Sequence, residues 1–385
     1  MTTVAPLGFR AAGVAAGIKS SGAADVAIVI NDGPSPAAAG VFTTNRVKAA
    51  PVIWSQHVLG HGRVRAVVLN SGGANACTGP AGYADTVRTA EHLADLLAVR
   101  AGEVAVCSTG LIGQRLPMPR LLAGVEAAAA AAATTAESGA AAARAIMTTD
   151  TVPKSCQLAG NGYQVGGMAK GSAMLAPALA TMLVVLTTDA DLPPSALDAA
   201  LRAAVRTTFD RIDTDGCMST NDSVLLLASG ASAVRPGVTE FTAALTAACD
   251  DLARQLMQDA EGASKAISIE VTGAASEDDA VCAGRAVARS NLFKCAIAGE
   301  DPNWGRVLAA VGTTSAAFEP GELSVAINGV WVCKDGAPGA DRSLVDLRPR
   351  EVTVTVDLAA GPVTATIRTT DLTAAYVHEN SAYST

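Results

Sequence analysis

The chain has 385 residues, which is enough for two or three domains that each have a hydrophobic core. Apolar residues make up 50% of the sequence but aromatic residues only 3%, so alanine, valine, leucine and isoleucine must pack most of the interior. The formal charge of −8, without any run of lysine or arginine, argues against a nucleic-acid partner, which would need a basic surface. We therefore expect an acidic protein that acts on a small molecule.

The N-terminus and the cysteines favour a cytoplasmic location. The first ten residues lack the basic start and apolar core of a secretory signal. The longest apolar stretch, near residue 181, contains glycine, proline and three threonines, which is typical of a buried strand rather than a membrane span. The eight cysteines are scattered without a C-x-x-C pair, so we expect reduced thiols. His57 and His61 are four residues apart but have no glutamate between them, so no metal site is expected.

The first part of the chain alternates strands with helices. The apolar pattern predicts buried strands at 25–30, 39–43, 64–69 and 104–107, and helices at 83–99 and, with a break near Gly139, at 119–144. The segment 146–150 is predicted to be a further strand, ending in hydroxyl groups and a carboxylate.

Two of these strands end in turns whose polar groups could bind a ligand or take part in catalysis. The turn at 70–79, rich in glycine and asparagine, presents backbone amides to a ligand in one interpretation and is a tight turn with a helix cap in the other. After the strand at 104–107 come Thr109 and Gly110, which leave a hydroxyl and a backbone N–H at the strand tip. Donors of this kind, held rigidly, are what an oxyanion hole requires.

The most informative pattern lies between residues 166 and 190. Lys170 lies in a glycine-rich turn, and a loop of mostly small residues then leads to Thr181, the first residue of a predicted buried strand. One interpretation is simply a core strand. In the other, the Thr181 hydroxyl attacks the carbonyl of Ala180, and hydrolysis of the ester leaves Thr181 as a new chain start. Its α-amine, with a reference pKa of about 7.7–8.0, would serve as base for its own hydroxyl.

The second part of the chain is also mixed. Helices are predicted at 194–208, 239–259 and 277–290, and strands at 223–228 and 268–273. The polar loop at 210–222 faintly resembles a calcium loop, but its glycine is misplaced and the closing glutamate is missing, so calcium is not expected. The segments 323–327, 352–358 and 363–367 alternate in the manner of antiparallel strands.

Motifs distributed along nearly the whole chain resemble, in the same order, those of the ornithine acetyltransferase (glutamate N-acetyltransferase) family. They are GFRAAGVAAGIK, AGVFTTNRVKAAPV, NSGGANACTG, CSTGLIG, MTTD, the region around Thr181, STND, DAEGASK, DPNWGR and ENSAYST. One departure is Ala173, where the family usually has glycine. A turn that needs positive φ would resist alanine at this position.

The resemblance implies an α+β fold, namely a layered α–β–β–α sandwich with a smaller C-terminal α/β domain. We place the boundary at residue 275, so that residues 1–275 form the main domain with the Ala180–Thr181 cleavage site. Residues 276–385 would form the smaller domain, whose tail returns to the active site. The resemblance also implies an α chain and a β chain from one precursor, which remain together and pair into a heterotetramer.

The resemblance further implies the roles of single residues. Thr181 would be the nucleophile, and Thr109 and Gly110 would form the oxyanion hole. The positions that match substrate-binding residues of the family are Thr148, Lys170, Thr181, Glu261, Asn380 and Thr385. Lys170 suits a substrate carboxylate and Glu261 an ammonium group. No metal and no cofactor is implied.

The implied reaction is a ping-pong transfer of the acetyl group from N2-acetyl-L-ornithine to L-glutamate in arginine biosynthesis. Whether acetyl-coenzyme A is a second donor stays open, because no stretch matches a coenzyme-binding fingerprint. Two other interpretations also stay open. One is an amidase or aminopeptidase of the same self-cleaving architecture, in which water takes the acyl group. The other is an uncleaved protein that binds amino acids or nucleotides in its glycine-rich turns.

Overall fold

A computed structural model describes residues 2–173 and 182–382 of the chain. The chain divides into two compact units. Among the described residues, unit 1 comprises 2–173, 182–210 and 217–259, and unit 2 comprises 211–216 and 260–382.

The described residues of unit 1 contain nine strands and six helices. The strands are β1 (Phe9–Val14), β2 (Val26–Asn31), β3 (Ala37–Phe42), β4 (Ala66–Asn70), β5 (Val104–Ser108), β6 (Lys154–Ala159), β7 (Gln164–Lys170), β8 (Leu183–Thr188) and β9 (Ser223–Ala228). The helices are α1 (Ala50–Leu59), α2 (Gly79–Leu97), α3 (Met118–Ala131), α4 (Ala136–Ala145), α5 (Pro194–Thr207) and α6 (Val238–Gln258). The strands and helices predicted from the apolar pattern of this region are confirmed, with shifts of a few residues at their ends, apart from the segment 146–150.

These strands form two sheets. The first has the order β1-β2-β4-β5, in which β4 and β5 are parallel and the other pairs antiparallel. The second has the order β3-β9-β8-β7-β6, in which β8 and β9 are the parallel pair. Five strands, β2, β4, β5, β8 and β9, are buried along their whole length. Their continuous apolar runs are typical of strands that are covered on both faces.

The alternation of side chains along a strand shows how the layers are stacked. Val29 of β2 packs in a cluster with Leu225 of β9 and Val185 of β8, so this cluster lies between the two sheets. Ile28, the neighbour of Val29, instead packs with Leu121 of α3 and with residues of α2. On the second sheet, α5 packs against β3, and α6 against β6 and β7. Unit 1 is therefore an α–β–β–α sandwich, as predicted.

The break between α3 and α4 lies at residues 132–135, earlier than the predicted position near Gly139. Thr135 caps α4, because its side chain accepts a hydrogen bond from the Ser138 N–H (3.2 Å). Gly139 lies inside α4, where a Cβ would come within 2.6 Å of the Thr2 Cβ. Gly139 is therefore needed for close packing rather than for ending the helix.

Unit 2 is built on one six-stranded sheet. Its strands are β10 (Ala266–Ala274), β11 (Ser324–Ile327), β12 (Val330–Lys334), β13 (Ala337–Pro338), β14 (Glu351–Asp357) and β15 (Val363–Thr370), in the order β13-β12-β11-β14-β10-β15. Its helices are α7 (Glu277–Ala288), α8 (Asn291–Ala298), α9 (Trp304–Val311) and α10 (Ala374–Ala382). The main segment of the unit begins at Ala260, whereas the sequence-based boundary at residue 275 stays a prediction. The strand β10 belongs to this segment because it pairs with β14 and β15 of the same sheet.

Across residues 2–173 and 182–382, no helix combines the length and the apolar character that are needed to cross a bilayer. All eight cysteines lie in these ranges, and each has a free thiol. Burial raises the pKa of Cys107 and of Cys156 to about 12, so both remain neutral thiols of the core.

The cluster between the two sheets yields a stability prediction. Leu227 on β9 is fully buried in it, so Leu227→Ala should leave a cavity and lower the free energy of unfolding by about 2–5 kcal/mol. The matched control is Leu96→Ala on α2, where the leucine is 46% exposed and the expected change is within about 0.5 kcal/mol. Urea unfolding of both variants measures the difference, and equal losses would contradict the layer assignment.

Candidate active site

The tip of β5 carries the two predicted oxyanion donors. The Thr109 N–H donates to the carbonyl of Asn70 at the end of the adjacent strand β4 (3.0 Å), which fixes the tip. Gly110 has φ of 128°, and a Cβ there would lie 2.9 Å from the backbone nitrogen of Gly73, so only glycine fits. Within the described part of the chain, no acceptor pairs with the Thr109 hydroxyl or the Gly110 N–H. Both groups therefore have donor capacity left for a bound oxygen atom.

Residues 146–150 form an irregular turn after α4, so the predicted strand is wrong. The physical reason is the side chain of Asp150, which accepts a hydrogen bond from the Thr148 N–H (3.0 Å) and folds the backbone onto itself. The Nζ of Lys19 donates to the carbonyl of Met147 (2.6 Å), directly before Thr148. The predicted substrate residue Thr148 therefore lies in a turn that is fixed from two sides.

Lys170 is the last residue of β7, so the glycine-rich turn predicted around it is wrong. Asp150 also fixes this end of β7. Its Oδ1 accepts from the Gly171 N–H (2.7 Å) and from the Nζ of Lys154 (2.6 Å). Burial by itself would raise the pKa of this carboxyl group, but the charges of Lys170 and Lys154 outweigh it and hold the pKa at about 2. Asp150 is therefore an anion that connects the turn at Thr148 with Gly171, directly after Lys170.

Lys154 is a part of this cluster that the sequence pattern did not reveal. Its side chain is fully buried between Asp150 and Asp259, with 2.6 Å from Nζ to a carboxylate oxygen of each. Asp259 in turn accepts from the N–H (3.0 Å) and the hydroxyl of Thr151. The two aspartates occur in the motifs MTTD and DAEGASK, whereas Lys154 lies at the start of a strand without a distinctive pattern.

The predicted nucleophile and cleavage site, Thr181 and Ala180, lie outside the described residues, as does Thr385. Their roles stay predictions. Ala173 is described, and it is not among the non-glycine residues with positive φ. Alanine therefore causes no backbone strain at this position, which removes the physical objection to this departure from the family pattern.

The first residue described after this gap is Met182, which is completely buried. Its N–H donates to Oδ1 of Asp222 (3.1 Å), and its carbonyl accepts from the Ser223 N–H (3.1 Å). The register of β8 with β9 continues this pairing, since Leu183 faces Ser223. The chain next to the predicted nucleophile is thus held by the residues at the start of β9.

Sequence reasoning also assigned no role to Asn221 and Asp222, which lie in the motif STND. The Nδ2 of Asn221 donates to the carbonyls of Ala74 (2.7 Å) and Ser108 (2.8 Å) and so connects this loop to the residue before Thr109. Asp222 is fully buried, and burial raises the pKa of its carboxyl group well above the ordinary value, against a smaller opposing effect of Lys170.

The other predicted substrate residues lie in unit 2. Glu261 precedes Gly262, whose φ is 60° and where a Cβ would come within 2.3 Å of the Tyr376 nitrogen in α10. The Thr373 hydroxyl donates to the Gly262 carbonyl (2.5 Å). Asn380 is exposed on α10, and its Nδ2 donates to the carbonyl of Tyr376 (3.0 Å). The turn at Glu261 and the helix with Asn380 are thus packed together within unit 2.

In unit 1, the tip of β5 provides hydrogen-bond donors, and the group of residues around Asp150 provides hydroxyl groups and a buried lysine. Such an arrangement is suited to binding an acyl oxygen and an anionic substrate group. A search of the described side chains for three histidines, cysteines or carboxylates grouped as metal ligands finds none.

Comparison with known proteins gives consistent matches over the full chain. A model of the ArgJ family matches residues 10–385. The arginine biosynthesis bifunctional protein ArgJ of Thermobifida fusca is 67% identical over 385 residues, the whole of both chains. The protein of the same name from Mycobacterium tuberculosis H37Rv is 59% identical over 99% of this chain and 96% of its own.

A match among solved structures is the crystal structure of ornithine acetyltransferase complexed with ornithine from Mycobacterium tuberculosis. It is 56% identical and covers 47% of this chain and 96% of that chain, with a TM-score of 0.43.

The low pKa of Asp150 predicts how acid affects stability. Because the folded-state pKa lies near 2, below the ordinary 3.8, the stabilisation is present above about pH 4 and is lost as the pH falls toward 2. The lowering of the pKa from 3.8 to about 2 corresponds to a stabilisation of about 2 kcal/mol. Asp150→Asn should remove this contribution, so its free energy of unfolding should fall less than that of the wild type between pH 4 and 2. Urea unfolding across this range measures it. Asp198→Asn, at an exposed ion pair, should keep the wild-type acid dependence.

Proposed function

The chain belongs to the ArgJ family, and we propose that it transfers the acetyl group of N2-acetyl-L-ornithine to L-glutamate in arginine biosynthesis. The observation that carries this proposal is the 67% identity, over the whole of both chains, to an arginine biosynthesis bifunctional protein. The site adds support, because it combines two oxyanion donors at the tip of β5 with Lys170 at the end of β7.

The proposed cycle begins with a self-cleavage. The Thr181 hydroxyl attacks the Ala180 carbonyl carbon, the peptide bond shifts to an ester, and water hydrolyses the ester. The products are a chain that ends at Ala180 and a chain that begins with the α-amine of Thr181. That amine accepts the hydroxyl proton when Thr181 acts as nucleophile in the transfer reaction.

In the first half of the transfer, the Thr181 hydroxyl oxygen attacks the acetyl carbonyl carbon of N2-acetyl-L-ornithine. The Thr109 hydroxyl and the Gly110 N–H stabilise the negative charge that develops on the carbonyl oxygen. The carbon–nitrogen bond then breaks, the α-amine returns the proton to the leaving nitrogen, and ornithine departs. The acetyl group remains as an ester on Thr181.

In the second half, the amino group of L-glutamate attacks the ester and regenerates the Thr181 hydroxyl. Thr148 and Lys170 would bind the polar groups of the amino-acid backbone, since a buried lysine pairs well with a carboxylate. Glu261, Asn380 and Thr385 would complete the substrate site, with Glu261 facing an ammonium group. These assignments rest on the family match and on the sequence positions of these residues.

The relatives are named bifunctional, and we assign the second activity to acetyl transfer from acetyl-coenzyme A to L-glutamate. The two chains formed by cleavage remain together, and two such pairs form a heterotetramer. The protein acts in the cytoplasm, where free thiols such as those of the eight cysteines are stable.

The cleavage is tested by substitution at Thr181. Thr181→Ala should abolish both self-cleavage and transfer, because no hydroxyl is left to attack the Ala180 carbonyl. Thr181→Ser keeps a hydroxyl and should retain cleavage. Intact-mass spectrometry of the denatured proteins, with N-terminal sequencing, distinguishes one chain from two. A cut before residue 181 in the alanine variant would refute the proposed nucleophile.

The acceptor and the second donor are tested with the purified wild type. With N2-acetyl-L-ornithine and L-glutamate, acetylglutamate should form in step with ornithine, whereas an amidase would release acetate at the same rate without glutamate. With acetyl-coenzyme A and L-glutamate alone, acetylglutamate should also form, and its absence would contradict the assignment of the second activity. Mass spectrometry measures the products acetylglutamate, ornithine and acetate. Free acetate as the main product would favour the hydrolase.

A further inference from the structure

Lys19 connects the loop between β1 and β2 with the turn that contains the predicted substrate residue Thr148. The Nζ of Lys19 donates to the carbonyl of Met147 (2.6 Å) and to that of Ala24 (3.1 Å). The carbonyl of Met147 belongs to the peptide bond with Thr148, so the lengths of the two intervening covalent bonds place Nζ within about 5 Å of the Thr148 nitrogen. The ammonium group thus lies beside a residue to which the proposed reaction assigns substrate.

Two groups at this point have hydrogen-bonding capacity left. A lysine ammonium has three N–H donors, and in the part of the chain that the structure describes only two of those of Lys19 have acceptors. The hydroxyl of Thr148 has no hydrogen-bond partner there either. Both residues are half-buried, so both remain accessible to a small ligand. A substrate bound at Thr148 would therefore have an ammonium group with a free N–H next to it.

Backbone contacts fix the loop that carries Lys19. Asp25, directly before β2, is fully buried. Its carboxylate accepts from the N–H groups of Ala16 (2.6 Å), Ile18 (2.6 Å) and Lys19 (2.9 Å). Ile18 in turn packs against Gly72, where a Cβ would come within 2.1 Å of the Ile18 Cγ2 atom. Because the same turn contacts the tip of β5, the loop is fixed on the side of unit 1 that holds the predicted oxyanion donors.

The charges around Lys19 favour a bound anion. Burial lowers the pKa of Lys19 from its ordinary value, the charge of Asp25 opposes this, the charge of Lys170 lowers the pKa further, and Asp150 opposes it again. Lys19 and Lys170 therefore lie close enough to repel each other. The attraction of Asp150 is divided, because it also acts on Lys170 and Lys154. A carboxylate bound at Lys19 would reduce the repulsion between the two ammonium groups.

The two substrates of the proposed reaction differ in the charge of their side chains. N2-acetyl-L-ornithine has one carboxylate and a side-chain ammonium group, whereas L-glutamate has a second carboxylate on its side chain. Lys170 is assigned to the carboxylate that both share, so the second carboxylate needs another cation. Lys154 does not supply it, because its three N–H donors are directed at two carboxylates and the carbonyl of Val152. Lys19 has the N–H that Lys154 lacks.

From these contacts we propose that Lys19 binds the side-chain carboxylate of L-glutamate and thereby determines which amino acid accepts the acetyl group. The inference rests on the proposed function and specifies its acceptor site. The distance is suitable, because the side chain of L-glutamate extends about 4 Å from its Cα atom to the carboxylate carbon. No covalent bond changes at Lys19, whose third N–H donates a charge-assisted hydrogen bond to the carboxylate.

The test compares L-glutamate with L-glutamine, which has the same shape but an uncharged side chain, as acceptors for the wild type and for Lys19→Gln. The variant loses the charge but keeps a side-chain N–H for the Met147 carbonyl. Its kcat/KM for L-glutamate should fall about ten- to hundredfold, mainly through KM, because a hydrogen bond to a charged group is lost. Its kcat/KM for L-glutamine should change less than about threefold.

The donor gives a second readout in the same variant. In a ping-pong reaction, kcat/KM of each substrate is independent of the other substrate, so the donor and the acceptor can be measured separately. N2-acetyl-L-ornithine has no side-chain carboxylate, and its kcat/KM should therefore change less than about threefold in Lys19→Gln. A purely structural role of Lys19 would instead lower kcat/KM for the donor and for both acceptors together.

The matched control is Arg120→Gln. Arg120 is exposed on α3, and its Nη1 donates to the carbonyl of Gly17 (2.8 Å), so it supports the loop that carries Lys19 at a different residue. The substitution removes a positive charge and a contact of this loop without touching the Met147 carbonyl. The ratio of kcat/KM for L-glutamate to that for L-glutamine should stay at the wild-type value.

Two measurements need no variant. The wild type should use L-glutamine at least about tenfold less efficiently than L-glutamate, since the amide offers no charge to the ammonium group. Added salt should lower kcat/KM for L-glutamate more than for L-glutamine, because ions screen the attraction between a half-buried ammonium group and a carboxylate. Both predictions are checked by the rate of acetyl-amino-acid formation.

Equal use of the two acceptors by the wild type would overturn the inference. An unchanged preference in Lys19→Gln would do the same, as would an equal loss of preference in Arg120→Gln. A parallel fall of kcat/KM for all three substrates in Lys19→Gln would also overturn it, because Lys19 would then only support the loop. Failure of the proposed function would look different, because the wild type itself would then form no acetylglutamate.

Discussion

The buried carboxylate of Asp150 is the interaction on which the candidate site depends. It accepts hydrogen bonds from the backbone of Thr148, from Gly171 and from Lys154, and it remains ionised because two lysines offset the cost of its burial. A buried pair of this kind is not in itself a large source of stability. Its effect here is geometric, because it fixes a turn after α4 against the end of β7.

The two sheets contribute different parts of the chemistry. The first sheet ends in Thr109 and Gly110, whose donor groups can stabilise negative charge on an oxygen atom. The second sheet carries Lys170 at the end of one strand and Met182 at the start of the next. Asn221 bridges the sheets through the carbonyl of Ser108, so the position of the β5 tip relative to the start of β9 depends on the packing of the sandwich. A reaction that requires alignment within a fraction of an ångström benefits from such a rigid frame.

Much of the fold of unit 1 was predictable, because short continuous apolar runs rich in β-branched residues, such as those of β2 and β8, favour buried strands. The segment 146–150 shows where this reasoning fails. Its apolar start and β-branched residues favour a strand, but the side chain of Asp150 offers the backbone a local acceptor, and the turn prevails. The main segment of unit 2 begins at Ala260, because Ala266 of β10 pairs with Glu351 of β14, and such long-range pairing leaves no local signal in the sequence.

The sequence by itself determined the family, the layered fold and the residues expected to bind substrate, because ordered motifs and apolar periodicity are properties of the linear chain. Only the tertiary structure showed that Lys154 lies between two carboxylates, that Ala173 is unstrained, and that Asp222 accepts a hydrogen bond from the Met182 N–H. Burial and charge depend on which distant segments meet. From the sequence alone, lysine and aspartate are expected at the protein surface. Only the folded sandwich shows which of them are buried, so that their charges must be offset by partners within the protein.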